Sequence, residues 1–166
     1  MNYQLERNGG NNYHIGLDDG NTFIIEDHFF NKFAVDLEYL QEKNIPDKIE
    51  FTRNEFITEN NLPIIFGSET LKKNSNSIIC GIDIFASSFF MLSRWEEYIN
   101  KTRDNHNRFP SHESVAGKYS FLNRPVVNEY AEFLYNMLKH LGPTEKRRNR
   151  KLSFKLTHYV DVLRRI

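Results

Sequence analysis

The chain has almost no cysteine and no excess of charge of either sign. Cys80 is its only cysteine among 166 residues, which excludes an internal disulfide framework and a metal site built from several cysteines. The 22 basic side chains are balanced by 22 acidic ones. Sequence-independent binding of nucleic acid or of anionic lipid needs a surplus of Lys and Arg. We therefore expect no nucleic-acid partner.

Long hydrophobic runs are also missing. The longest apolar segment, 78–92, is interrupted by Asp83 and is shorter than the roughly 18 to 20 residues that span a bilayer. We therefore expect no membrane span. Residues 1–7 (MNYQLER) lack the basic end and the apolar stretch of a secretory signal. The sequence predicts a cytoplasmic location.

The length fits one domain, or one domain with a fragment of a second. A single break in composition occurs at 144–151 (TEKRRNRK), where six of eight residues are charged. No aromatic side chain is interleaved with these charges, which favours an exposed connector over an anion-binding patch. We therefore divide the chain into a domain at 1–143, a charged linker at 144–151 and a C-terminal segment at 152–166.

Strand and helix patterns alternate along the first domain. Two short apolar runs flank the turn residues Asp18, Asp19 and Gly20 and predict a hairpin, in which the two aspartates are turn residues rather than metal ligands. Further strands are predicted at 48–53, 62–66 and 77–82, and helices at 28–42, 83–99 and 125–141. These elements predict an α/β fold, a layered mixed sheet of about four or five strands with about three flanking helices.

Few residues of this domain suggest a catalytic or binding role. The tripeptide 67–69 (GSE) follows an apolar run and is interpreted as a turn rather than a binding loop. Glu96 and Glu97 are adjacent on a predicted helix, where neighbours point about 100° apart, so we expect a solvated, salt-bridged face rather than an acid and base pair. Trp95 is expected in the core rather than stacked on a sugar ring.

The segment 100–121 has no clear periodicity, and long loops in compact domains are often functional. We name it as a contact surface for substrate or for a neighbouring domain. His106 and His112 are six residues apart, which fits no common zinc pair. The candidate substrate contacts in this segment are Arg103, Asp104, His106 and Arg108.

The segment 151–157 alternates apolar and polar residues and ends in His158, Tyr159, Val160 and Asp161. Barrel enzymes present catalytic side chains at the carboxyl ends of such strands. The octapeptide 154–161 (FKLTHYVD) resembles the opening segment of the NodB-like polysaccharide deacetylases, carbohydrate esterase family four, in the variant that reads Thr-His-Asp-Val-Asp. Upstream, 81–98, 108–110 and 124–130 resemble the N-terminal domain that precedes this barrel in bacterial surface-polysaccharide proteins.

This resemblance implies an enzyme that removes acetyl groups from N-acetylated sugars of a polysaccharide with a divalent metal, zinc or similar. Asp161 matches the aspartate that binds the metal beside two histidines of a later segment. Tyr159 occupies the position of the general base, and an unperturbed tyrosine, with a pKa near 10, does not accept a proton at pH 7 as a carboxylate does.

Because the two histidines and the rest of the barrel are not in this chain, we expect neither bound metal nor deacetylase activity from it alone. The implied partners are the polysaccharide and a C-terminal barrel domain. The alternative is a non-enzymatic interaction or glycan-binding domain whose C-terminal strand pairs with a partner.

Overall fold

The computed structural model describes residues 3–7, 12–17, 19–33, 36–58, 61–142 and 153–157. The expected α/β class is confirmed: a five-stranded mixed sheet and a two-stranded sheet are combined with helices. The strands are β1 (Tyr3–Glu6), β2 (Asn12–Leu17), β3 (Thr22–Glu26), β4 (Glu50–Thr52), β5 (Leu62–Ile64), β6 (Gly67–Lys73) and β7 (Ser77–Ile82). The α-helices are α1 (Ile84–Ser93), α2 (Trp95–Ile99), α3 (Val115–Lys118) and α4 (Val126–Leu141).

The larger sheet has the order β1-β2-β3-β7-β6, and the smaller one pairs β4 with β5. The pairing of β3 with β7 is parallel, whereas the other pairs are antiparallel. The predicted hairpin is confirmed as β2 and β3, and Gly20 in its turn has a φ of 83° that suits glycine. The parallel pair places the carboxyl ends of β3 and β7 at one edge of the sheet.

The core lies between the larger sheet and the helices α1 and α4, which pack against each other. Alternate residues of the sheet face this core, among them Phe23, Ile25 and Ile78, each with 0% exposure. Helix α4 confirms the helix predicted at 125–141, with Pro125 just before its first turn. Within it, the buried Tyr130 donates its hydroxyl hydrogen bond to the carbonyl of Pro63 at 2.7 Å, which connects α4 to β5.

The helix predicted at 28–42 is wrong. In its place the structure has a 3-10 turn at Phe30–Lys32 and a second one, Glu42–Asn44, that begins at the last residue of the predicted helix. The carboxylate of Asp27 accepts hydrogen bonds from the backbone N–H groups of Phe29 and Asn31, at 3.1 and 3.2 Å, and so competes with helical hydrogen bonding. Leu37 then adopts a left-handed φ of 69°. The apolar spacing still identifies side chains that are in contact with the core, because aromatic side chains of this segment pack there.

Two further sequence predictions need correction. The helix predicted at 83–99 is divided into α1 and α2, because Arg94 adopts a left-handed conformation with φ 53°. Residues 67–69 open strand β6 rather than form a turn. Gly67 has a φ of 104°, and a Cβ atom there would lie 2.1 Å from the carbonyl oxygen of Gly81, so the backbone of β6 approaches β7 too closely for a side chain.

The described part of the C-terminal segment, 153–157, belongs to neither sheet. Its two apolar side chains, Phe154 and Leu156, are 82% and 95% exposed. The linker at 144–151 lies outside the described residues, as do 152 and 158–166 of the C-terminal segment. No helix within the described ranges is both long and apolar enough to cross a membrane.

Candidate functional site

A cleft of about 600 Å³ opens between α2, the segment 42–47 and the segment 113–119. Cavities of this size are typical of small-ligand sites. The described residues that line it are Glu42, Ile45, Pro46, Asp47, Glu96, Asn100, Glu113, Val115, Lys118 and Tyr119. Four of these side chains are carboxylic acids and one is a lysine, so the wall of the cleft has an excess of acidic groups.

Glu96 is the most deeply buried acid of this wall, with 9% exposure. Its Oε2 accepts a hydrogen bond of 2.9 Å from the backbone N–H of Val115, at the first residue of α3. Burial raises the pKa of Glu96 above its usual range, and the Val115 hydrogen bond opposes this effect. The expected solvated position is therefore wrong for Glu96, whereas Glu97 does form the expected salt bridge, with Arg94.

The residues that line the cleft at 47 and 113–119 are held by one contact between distant parts of the chain and by two local contacts. The Tyr119 hydroxyl donates a hydrogen bond to the backbone carbonyl of Asp47. Lys118 pairs with Glu113, with 3.1 Å between Nζ and Oε2. The hydroxyl of Ser114 caps α3 by accepting from the N–H of Gly117 at 3.0 Å. The Tyr119 hydrogen bond therefore connects the end of α3 to the segment 42–47 across the lining of the cleft.

Trp95, next to Glu96 in the sequence, lies in the core as predicted, with 4% exposure. It stacks on Phe29 and meets Tyr39 and Phe90 edge to face. Its buried indole N–H has no hydrogen-bond acceptor among the described residues. This tryptophan serves packing rather than sugar stacking.

A second polar group lies where the parallel strands β3 and β7 end. Asp83, fully buried, accepts the N–H groups of Ala86 and His28, both at 2.9 Å, and is thereby the predicted cap of α1. Asp27 accepts backbone N–H groups and also pairs with Arg7. Burial raises the pKa of Asp83, and the nearby negative charge of Asp27 adds to this. These carboxylates are occupied by backbone donors, so their role is to hold the sheet edge.

Three of the four candidate substrate contacts form a local turn. The carboxylate of Asp104 accepts the N–H groups of His106 and Arg108, at 2.8 and 2.9 Å, and pairs with the Arg108 guanidinium. The backbone hydrogen bond from Arg108 is the largest effect that lowers the pKa of Asp104. Arg103 donates to backbone carbonyls, including that of Asn100 at 2.8 Å. None of the four lines the cleft, although all are exposed or half-exposed.

The segment 100–121 still contributes to the cleft through other residues, namely Asn100, Glu113, Val115, Lys118 and Tyr119. Part of this segment is ordered as a 3-10 turn, Ser111–Glu113, followed by α3. The acids Glu42 and Asp47 were not predicted as site residues, because they lie about 50 residues or more from Glu96 in the sequence and no local pattern connects them. The implied metal ligand Asp161 and Tyr159, at the base position, lie outside the described residues.

No group of three His, Cys, Asp or Glu side chains able to hold a metal ion occurs within the part of the chain that the structure describes. In a comparison with protein families, residues 5–143 match a family of unknown function, DUF7033. No curated protein and no solved structure matches the chain. The matched residues include the whole cleft and end just before the charged segment.

Proposed function

Since the chain belongs to the DUF7033 family, we propose that it is the N-terminal part of a polysaccharide deacetylase-like protein. In this proposal residues 1–143 form an accessory domain, and the segment 152–166 supplies the first strand of a deacetylase barrel. The complete protein removes N-acetyl groups from sugars of a surface polysaccharide with a divalent metal. The chain described here is inactive by itself, and its cytoplasmic location stays a prediction.

The exposed C-terminal segment carries this proposal. Phe154 and Leu156 alternate with polar residues and would share one face of an extended strand. Both are more than four-fifths exposed, and burying two such side chains is worth about 3 to 6 kcal/mol. A barrel that adds this strand to its sheet would gain that free energy. The segment also lies beyond the family match, as expected for a separate domain.

The metal of the complete protein rests on the resemblance of 154–161 to the deacetylase opening segment. That resemblance assigns one ligand, Asp161, to this chain and two histidines to a later segment. The described residues offer no substitute for such a site. In this proposal the accessory domain contributes binding or positioning.

Acetate release from an N-acetylglucosamine oligomer tests the proposal. The complete protein that carries Tyr159→Asp, loaded with Zn²⁺, is compared with the same protein after chelation, after the further change Asp161→Asn and after the control change Glu69→Gln. Glu69 is exposed on β6, remote in sequence from the segment in question. We expect acetate release that chelation and Asp161→Asn abolish and Glu69→Gln leaves unchanged, together with no release from the 166-residue chain alone.

Two results would contradict the proposal. Acetate release by the 166-residue chain alone would show that the barrel is not required. Release by the complete protein that survives both chelation and Asp161→Asn would remove the metal assignment.

The second candidate function is a non-enzymatic glycan-binding or interaction domain. The cleft around Glu96 favours it, because it is formed entirely within residues 42–119 and needs no barrel. A metal-loaded complete protein that carries Tyr159→Asp and releases no acetate, but whose first domain binds an oligosaccharide, would support this alternative over the first.

A further inference from the structure

Strand β1 lies at one edge of the larger sheet, where β2 is its partner. Its side chains Gln4, Leu5 and Glu6 are all exposed, and Leu5 keeps 61% of its surface in solvent. Strands β2, β3 and β7, by contrast, bury alternate residues in the core. β1 therefore gains little from apolar burial, and an element with few buried apolar contacts opens more easily than the core does.

Arg7, the residue that follows β1, fastens the end of this strand to the body of the domain. Its guanidinium donates a hydrogen bond of 2.5 Å to Oδ2 of Asp27. The same guanidinium lies over the ring of Tyr13, at 5.5 Å from the ring centroid. The Arg7 side chain is 48% exposed, whereas that of Asp27 is 0% exposed. A half-exposed cation thus neutralises a carboxylate that solvent does not reach.

Asp27 is held in place independently of β1. Its Oδ1 accepts the backbone N–H groups of Phe29 and Asn31, at 3.1 and 3.2 Å, in the turn that follows β3. The receiving half of the ion pair therefore stays positioned when β1 leaves. Separation of the pair leaves a buried carboxylate without its cation, which is costly. For this reason the Arg7–Asp27 pair opposes release of β1 more strongly than an exposed ion pair would.

We propose that β1 is a releasable strap, and that the Arg7–Asp27 ion pair is its latch. When the latch opens, β1 separates from the sheet while β2, β3 and β7 stay folded. The sheet then ends at β2, where the buried Ile15 lies opposite Leu5 in the closed state. An uncovered strand edge can accept an added strand, so the latch controls whether this edge is closed. The inference goes beyond the proposed function and does not depend on it.

Hydrogen exchange of the 166-residue chain, measured by mass spectrometry on peptides that cover 1–7 and 77–82, tests this inference. We expect the N–H groups of β1 to exchange at least about tenfold faster than those of β7, after correction for intrinsic rates. Urea below the unfolding transition should accelerate exchange in β7 but leave β1 nearly unchanged. The reason is that release of one short strand exposes little surface, whereas global unfolding exposes much.

Substitutions at the latch test its contribution. Arg7→Gln removes the cation and should accelerate exchange of β1 at least about tenfold, since one hydrogen bond to a charged group is worth a factor of this size. Asp27→Asn keeps an acceptor oxygen for the turn but removes the charge, and it should have a similar effect. With Asp27→Asn already present, Arg7→Gln should add less than about twofold. The control Lys48→Gln breaks an exposed pair with Glu50 and should leave β1 unchanged.

Three results would overturn the inference. Equal exchange rates in β1 and β7 with the same urea dependence would show that β1 opens only in global unfolding, and this comparison needs no substitution. Arg7→Gln and Asp27→Asn variants that accelerate β1 no more than Lys48→Gln does would remove the latch. A full effect of Arg7→Gln in the presence of Asp27→Asn would show that Arg7 acts through another partner.

Discussion

Replacing Asp83 by alanine tests how the carboxyl edge of the sheet is held. Asp83 has 0% exposure and follows β7 directly. Its Oδ1 caps α1 by accepting from Ala86, and its Oδ2 accepts from His28, just beyond β3. One side chain thus connects the start of a helix to the end of a neighbouring strand.

The cost of Asp83→Ala follows from these two hydrogen bonds. Loss of a helix cap costs about 1 kcal/mol, and a backbone N–H left without its acceptor costs about 1 to 3 kcal/mol. We expect the free energy of unfolding to fall by about 2 to 4 kcal/mol. Asp83→Asn keeps the size and one acceptor oxygen, so it should lose about half as much.

Urea unfolding monitored by circular dichroism measures these differences, with Glu69→Ala as the exposed control. The control should stay within about 0.5 kcal/mol of the unchanged chain. In thermal unfolding, a loss of 3 kcal/mol corresponds to a decrease of about 6 to 12 °C for a domain of this size. An Asp83→Ala variant as stable as the Glu69→Ala control would refute the assignment of these hydrogen bonds.

Three further outcomes follow from single positions. Gly67→Ala should lower the free energy of unfolding, measured in urea, by about 1 to 3 kcal/mol, because its Cβ would clash with the Gly81 carbonyl. A variant as stable as the unchanged chain would contradict this close contact between the backbones of β6 and β7. Burial raises the folded-state pKa of Glu96 above its ordinary value of 4.5. Its favourable contribution to the free energy of unfolding is therefore complete below pH 4.5 and is lost as pH rises through the folded-state pKa. The free energy of unfolding of Glu96→Gln should therefore increase relative to that of the unchanged chain as pH rises. A difference between these two free energies that stays constant from pH 4 to pH 7 would contradict this expectation. Cys80 is 1% exposed, and burial raises the pKa of its thiol to about 12. An aromatic disulfide reagent at pH 8 should therefore react with Cys80 only after the chain unfolds. Rapid reaction of the folded chain would contradict this prediction.

Local patterns in the sequence were sufficient for elements whose hydrogen bonds are local. The hairpin of β2 and β3, the cap at Asp83 and the helix α4 depend on turn chemistry, capping and apolar spacing, and all three occur as predicted. The helix predicted at 28–42 failed because the Asp27 carboxylate, outside the periodic segment, takes the backbone donors instead. Apolar spacing identified which side chains are buried there but not the backbone conformation.

The cleft could not be predicted from the sequence, for a different reason. Its acidic wall combines Glu42 and Asp47 with Glu96 and Glu113, which only the tertiary fold brings together. The position of Glu96 depends on the left-handed residue Arg94, which ends α1 and begins α2 in a new direction. A continuous helix, as predicted from the spacing, would have kept Glu96 on a solvated face.

We propose above that 154–161 corresponds to the opening segment of a deacetylase barrel, with Tyr159 in place of its general base. The rate of acetate release from an N-acetylglucosamine oligomer by the Zn²⁺-loaded complete protein, before and after Tyr159→Asp, tests it most directly. General-base catalysis typically contributes about 100- to 10,000-fold, so we predict that Tyr159→Asp raises the rate at pH 7 by at least about 100-fold. A rate that is unchanged or lower after this substitution would contradict the correspondence.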